Sequence, residues 1–151
     1  MNILVSACLL GVCCRYDGKH NYCPELQKIA ERHRLIPVCP ESYSGLPVPR
    51  DPAEIREGRV ILKSGRDVTA EFQRGASCMM QLADFFGCEA AILKERSPSC
   101  GSGMIYDGTF SKTLTEGDGV FAHLAREAGI EIIGESEISR RFPGEEQHTR
   151  R

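Results

Sequence analysis

The residues of this chain best suited to chemistry are its eight cysteines, because they fall into a pattern. Cys8 and Cys39 each follow an apolar run, Ile3-Leu4-Val5-Ser6-Ala7 in one case and Leu35-Ile36-Pro37-Val38 in the other. Cys100 follows a third such run, Ala90-Ala91-Ile92-Leu93, after a polar stretch that opens with Lys94, Glu95 and Arg96. The segment Ser97-Pro98-Ser99-Cys100-Gly101-Ser102-Gly103 sets a thiol among hydroxyls and glycines, so backbone N–H groups can approach a ligand closely. Thiols delivered this way serve as soft metal ligands or as nucleophiles.

The spacing does not match the close-set pattern of a zinc finger or the repeated C-x-x-C of small ferredoxins. Cys13, Cys14 and Cys23 are neighbouring candidates for a fourth ligand, although adjacent cysteines such as Cys13 and Cys14 rarely share one ion for steric reasons. Cys78 lies in a helical pattern and Cys88 just after it, and both read as ordinary buried thiols. Three convergent thiolates leave a metal centre unsaturated; in an iron–sulfur cubane, one iron stays open to act as a Lewis acid on a soft atom. The four histidines have no evident partners in sequence.

The elements that must position these thiols alternate between strand and helix. The three apolar runs are strands, with a fourth over Ile130–Ile133, and the intervening patterns predict helices over 24–33, 68–86 and from Val120 to Gly129. Asp67 is placed to cap the second helix. Glu135 to Phe142 reads as a short terminal helix, and Val60-Ile61-Leu62 as an extra strand hairpinned with Ala53 to Arg56 through Glu57-Gly58. The expected fold is α/β: one three-layer domain over 1–144 with a mainly parallel, Rossmann-like sheet of about four core strands, then a polar tail over 145–151. Such sheets bind ligands in a crevice at the C-terminal strand ends, so Cys8, Cys39 and Cys100 are expected to meet there.

Composition narrows the class. With 151 residues, 41% of them hydrophobic, the chain can build one core, and its formal charge of -2 offers no bulk attraction to nucleic acid. No apolar run is long enough to span a bilayer, and no secretory signal opens the chain. These features predict a cytoplasmic protein whose thiols stay reduced, with no membrane or DNA partner.

Ser6-Ala7-Cys8-Leu9-Leu10-Gly11 with Arg15-Tyr16-Asp17-Gly18, then Cys39-Pro40-Glu41 with Gly45-Leu46 and Pro49-Arg50-Asp51-Pro52, then Ser97-Pro98-Ser99-Cys100-Gly101, together resemble the thiouracil desulfurase family. The resemblance implies a [4Fe-4S] cluster held by Cys8, Cys39 and Cys100. It further implies a non-redox hydrolysis in which the sulfur of a thiolated pyrimidine, such as 2-thiouracil, or of its nucleotide is replaced by the oxygen of water. Longer relatives in the family this chain resembles carry an extra C-terminal domain and are linked to tRNA thiouridine; this chain ends without one, so a tRNA substrate is not expected. Within that reading Glu41, two residues past a ligand, is the candidate base. Ser99 is a candidate hydrogen-bond donor to the reacting centre, and Lys94 and Asp17 are further catalytic candidates. Two other readings stay open: a cluster-free thiol redox or sulfur-carrier protein, and a non-catalytic zinc module. The sequence does not determine the oligomeric state.

Overall fold

A computed structural model describes residues 1–144; the tail expected over 145–151 lies outside the described residues. The elements are β1 (Asn2–Ser6), α1 (Leu26–Arg32), β2 (Arg34–Val38), β3 (Ala53–Arg56), β4 (Arg59–Leu62), α2 (Thr69–Phe85), β5 (Ala90–Leu93), β6 (Met104–Tyr106), β7 (Leu114–Glu116), α3 (Val120–Glu127), β8 (Glu131–Gly134) and α4 (Ile138–Arg141). Single 3-10 turns cover Ala7–Leu10 and Glu135–Glu137.

The central sheet has four strands in the order β2-β1-β5-β8, all parallel. Its strands are apolar on both faces because both faces are covered, and the pleat sends successive residues to opposite layers. Leu4, Ile36, Val38, Ala91 and Leu93 pack with Ala76, Met79 and Ala83 of α2 and Phe121, Ala122 and Ala125 of α3. Ile3, Val5, Ala90 and Ile92 pack the other way, with Leu26 and Ile29 of α1 and Ile138 of α4. The fold is therefore three layers, as the alternation of strand and helix predicts. The expected hairpin is present too: β3 pairs antiparallel with β4, and Glu57 and Gly58 take the left-handed backbone of a tight turn.

Three details differ from expectation. β1 ends at Ser6 rather than running on to Ala7, so Cys8 sits in the 3-10 turn that follows and not directly at the strand end. The helix expected from Val68 starts at Thr69, and Asp67 lies one residue before its N-cap, accepting the Thr69 N–H at 2.9 Å. A second hairpin, β6 with β7, forms in a stretch where no strand was expected. No helix among the described residues is long and apolar enough to cross a membrane.

In sheet order the chain leaves β1 for β2 on one side and later reaches β5 on the other, so the ends of β2, β1 and β5 lie side by side. This reversal of direction opens a crevice at their C-terminal ends. Two glycines press the following loops into place. A Cβ on Gly75 of α2 would stand 1.9 Å from the Pro40 carbonyl oxygen, and one on Gly119 would stand 2.6 Å from that of Ser99. Only a bare Cα lets α2 rest on the Cys39-Pro40-Glu41 segment and α3 begin against Ser99.

Candidate active site

The crevice is a cavity of ≈480 Å³, within the range of about 300–1,000 Å³ usual for small-molecule sites. Cys8, Cys39 and Cys100 line it, and so does Cys14. Cys13, Cys23, Cys78 and Cys88 do not; Cys13 is exposed, and Cys23 donates to Glu25 at 2.8 Å. The described histidines also lie off its walls.

Each of the three motif sulfurs accepts a hydrogen bond. Asn21 Nδ2 donates to Cys8 Sγ at 3.4 Å, and Arg15 fixes that amide by donating to Asn21 Oδ1 at 2.9 Å. Ser42 Oγ donates to Cys39 Sγ at 3.1 Å. The Cys100 sulfur lies 3.7 Å from Ser99 Oγ and is also bonded by Ser6. Burial works against these contacts: it pushes Cys100 up to about 12, against the opposing hydrogen bonds of Ser6 and Ser99. Burial likewise raises Cys8, with Asn21 pulling the other way.

Cys39 is the exception. The Cys14 thiol donates to it, and this bond, helped by Ser42, lowers Cys39 below an ordinary thiol. Cys14 is correspondingly held in its protonated form by that bond and by burial. In this pair Cys14 is the donor and Cys39 the acceptor. Replacing Cys14 by alanine removes a hydrogen-bond donor rather than a ligand. The expected result is that Cys14→Ala retains the iron and acid-labile sulfide of the unmodified chain, checked by metal and sulfide analysis after anaerobic purification.

Polar groups that can move protons stand beside the thiols. Glu41 uses its two oxygens differently. Oε1 accepts from Arg50 Nη2 at 3.2 Å and Nε at 3.4 Å, while Oε2 accepts from Ser99 Oγ at 2.7 Å. The Arg50 side chain is 4% exposed and also donates to the Cys14 and Pro47 carbonyls at 3.0 and 3.3 Å. It thereby ties the first two motifs together. Ser97 Oγ is 3.0 Å from Ser99 Oγ and accepts from the N–H groups of Ser99 and Cys100 at 3.1 and 3.0 Å. The Pro98 and Ser99 carbonyls in turn accept from Val120, Phe121 and Ala122 at the start of α3. Ser99 is thus held from both sides.

Lys94 lines the cavity, but its ammonium donates to Glu135 Oε1 at 2.7 Å. Asp17 is not on the cavity wall; it accepts from Arg15 Nη2 and the Lys19 N–H, both at 3.0 Å, and so supports the arginine behind Asn21. Of the four catalytic candidates, the fold therefore brings Glu41 and Ser99 into direct contact, commits Lys94 to an ion pair and sets Asp17 outside. In sequence Cys14 is marked only as a candidate fourth ligand, and Ser97 only by its place in the Ser-Pro-Ser-Cys stretch. Arg50 is marked there only by its place in the Pro-Arg-Asp-Pro stretch.

No three His, Cys, Asp or Glu side chains among the described residues stand together closely enough to hold a single ion. The walls offer instead spaced sulfurs, each already hydrogen-bonded, with room between them. That donor set suits a thiolate-bound iron–sulfur cluster, whose sulfurs are stabilised by such contacts.

The chain is similar to known proteins over most of its length. The family model for 2-thiouracil desulfurase matches residues 3–137. An uncharacterized protein, YbbK, of Bacillus subtilis (strain 168) is 41% identical over 147 residues, covering 91% of this chain and 97% of that protein. Among solved structures, the [4Fe-4S]-dependent thiouracil desulfidase TudS superposes with a TM-score of 0.86 at 43% identity, covering 92% of this chain and 93% of that one. The family match runs from β1 to the last residue before α4 and takes in all three cysteine motifs, and on that span the chain belongs to the 2-thiouracil desulfurase family.

Proposed function

We propose that this chain is a desulfidase that hydrolyses a thiolated pyrimidine such as 2-thiouracil to the oxo base and sulfide. The observation that carries the reading is the Glu41 Oε2–Ser99 Oγ contact of 2.7 Å in the same cavity as Cys8, Cys39 and Cys100. Those three cysteines would hold a [4Fe-4S] cluster, which supplies a Lewis-acidic iron with affinity for the soft thiocarbonyl sulfur. Oxygen enters from water and sulfur leaves as sulfide, so no electrons are gained or lost.

The residues contribute proton management and positioning. Glu41 Oε2 takes a proton from the attacking water, and Arg50 holds Oε1 so that Oε2 stays turned toward Ser99. The Ser99 hydroxyl, supplied with a second hydrogen bond by Ser97, fixes that oxygen and can pass a proton toward the sulfur side at Cys100. Burial of Ser99 and Cys100 at 3% and 5% exposure limits competing water.

The substrate is a free base or its nucleotide. Lys63, Arg96 and Lys112 line the cavity and are exposed, and no ion pair engages their side chains among the described residues, which suits a phosphate. We place the reaction in the cytoplasm, where all eight cysteines, free here, would stay reduced. The test is anaerobic purification followed by incubation with 2-thiouracil. Bound iron and acid-labile sulfide with release of uracil and sulfide is the expected result; a colourless thiol protein, or stoichiometric zinc, would overturn it.

A further inference from the structure

Glu54 of β3 has no part in the chemistry just described, yet it is 9% exposed and its side chain borders the cavity. Its Oε1 accepts two backbone N–H groups of the β6–β7 loop, from Gly108 at 3.0 Å and Phe110 at 3.1 Å. Among the described residues nothing donates to Oε2. The other two carboxylates on the cavity wall are fully committed. Glu41 is shared between Arg50 and Ser99, and Glu95 accepts from the N–H and hydroxyl of Ser136 at 3.3 and 2.6 Å. A buried carboxylate oxygen without a donor is costly, and a ligand that brings an N–H would relieve that cost.

The same carboxylate holds an aromatic ring at the cavity. Phe110 and Lys112 have φ of +57° and +61°, a left-handed backbone that bulky residues seldom adopt. Such a conformation persists only where neighbouring contacts fix it, and the two bonds to Glu54 lead up to and include Phe110, the first of those two residues. Their effect is to bring Phe110 to the cavity wall, where Tyr16 and Tyr106 also lie. A flat ring carrying an in-plane N–H matches this wall: aromatic faces stack on it and a carboxylate oxygen accepts at its edge.

We propose that Glu54 reads the ring N3–H of the pyrimidine while Phe110, fixed by the same carboxylate, stacks on the ring face, so the cavity selects uracil-type over cytosine-type bases. This rests on the desulfidase reading. N3 is the position that keeps its hydrogen when N1 carries a ribose, and in a cytosine-type ring it presents a lone pair that a carboxylate repels. A site built around such a contact discriminates strongly against analogues that lack the hydrogen.

The test uses the cluster-loaded chain and unreactive oxo bases, titrated calorimetrically with uracil, 3-methyluracil and cytosine. Uracil should bind the unmodified chain roughly 10- to 100-fold more tightly than either of the others, the range expected for an unsatisfied buried polar group. Glu54→Gln keeps a carbonyl oxygen for Gly108 and Phe110 but converts the free oxygen into an NH2 donor, so the preference should turn toward cytosine. The ratio of kcat/KM for 2-thiouracil to that for 2-thiocytosine should fall in the same variant. Phe110→Ala should weaken uracil binding about 10-fold, with Phe110→Tyr restoring it, as expected for lost stacking. Equal binding of uracil and 3-methyluracil by the unmodified chain would overturn the proposal without any variant, as would a Glu54→Gln protein with unchanged base preference. Selective uracil binding without sulfide release from 2-thiouracil would instead refute the desulfidase reading and leave the recognition wall standing.

Discussion

Serine in place of Cys39 is expected to abolish cluster loading, and with it all sulfide release, while leaving the fold intact. Cys39 is the first residue past β2, at the crevice beside the end of β1, and it is the one thiol that its neighbours hold below the ordinary range. Two donors, the Cys14 thiol and Ser42, converge on its sulfur, so the site is arranged for a negative charge there. A serine hydroxyl remains protonated in the same place and is a hard, weak ligand for iron. Its loss would leave two thiolates, too few to retain a cubane. The side chain lies outside the apolar clusters that hold the layers together, so thermal unfolding of the metal-free proteins should nearly coincide. Iron analysis and the visible absorbance of anaerobically purified protein check the loss. Wild-type iron content in Cys39→Ser would remove Cys39 from the ligand set and point to Cys14 as its replacement. Serine at Cys78 or Cys88, both off the cavity wall, supplies the control that should keep its iron.

The sheet was legible because its strands are buried on both faces and so appear as unbroken apolar runs; Ala90-Ala91-Ile92-Leu93, buried at every position, is the clearest of them. Once three such runs are parallel neighbours, convergence of the thiols that follow them is a matter of topology, and Cys8, Cys39 and Cys100 do share one cavity. The β3–β4 hairpin was legible from the apolar Val60-Ile61-Leu62 run together with the turn at Glu57-Gly58. The β6–β7 hairpin was not: its strands are three residues each, and only Ile105 of Met104-Ile105-Tyr106 is buried, so no period emerges. That miss hid Phe110. Glu54 was hidden for another reason, since a carboxylate within a strand reads as solvent-facing until the loop that caps it is known. Arg50 and Ser97 act through contacts spanning the three motifs, and distance in sequence conceals such contacts. Cys14 shows the limit of reasoning from adjacency: sterics separate it from Cys13 as a ligand, but only the fold shows that its thiol points at Cys39.

Replacing Glu41 by glutamine should slow sulfide release by about 10²–10⁴-fold, equivalent to roughly 3–5 kcal/mol of barrier, without loss of the cluster. The present contacts explain why the variant should fold. Arg50 only donates, so the new amide must turn its oxygen toward the guanidinium, now at Oε1, and its NH2 toward Ser99. Ser99 can accept that bond and direct its own hydrogen to Cys100 Sγ, 3.7 Å away, or to Ser97 Oγ at 3.0 Å. Every buried group keeps a partner, yet the oxygen that would take the proton from water has become a nitrogen that cannot. Removing the side chain altogether would be a poorer experiment, because Arg50, 4% exposed, would be left as an unpaired buried cation, a loss typically worth about 3–5 kcal/mol of stability. The glutamine protein should therefore remain brown and match the original iron content. It should still change its spectrum on adding 2-thiouracil, since Glu41 is not required for the sulfur to reach iron, and only kcat should fall. Ser99→Ala should cost less, because a water molecule can stand in for the missing hydroxyl more readily than for a base. Turnover unchanged in Glu41→Gln with the cluster intact would move the base elsewhere on the wall; Lys94 would be the next candidate once its pairing with Glu135 is broken, and Asp17, which faces away from the cavity, would not.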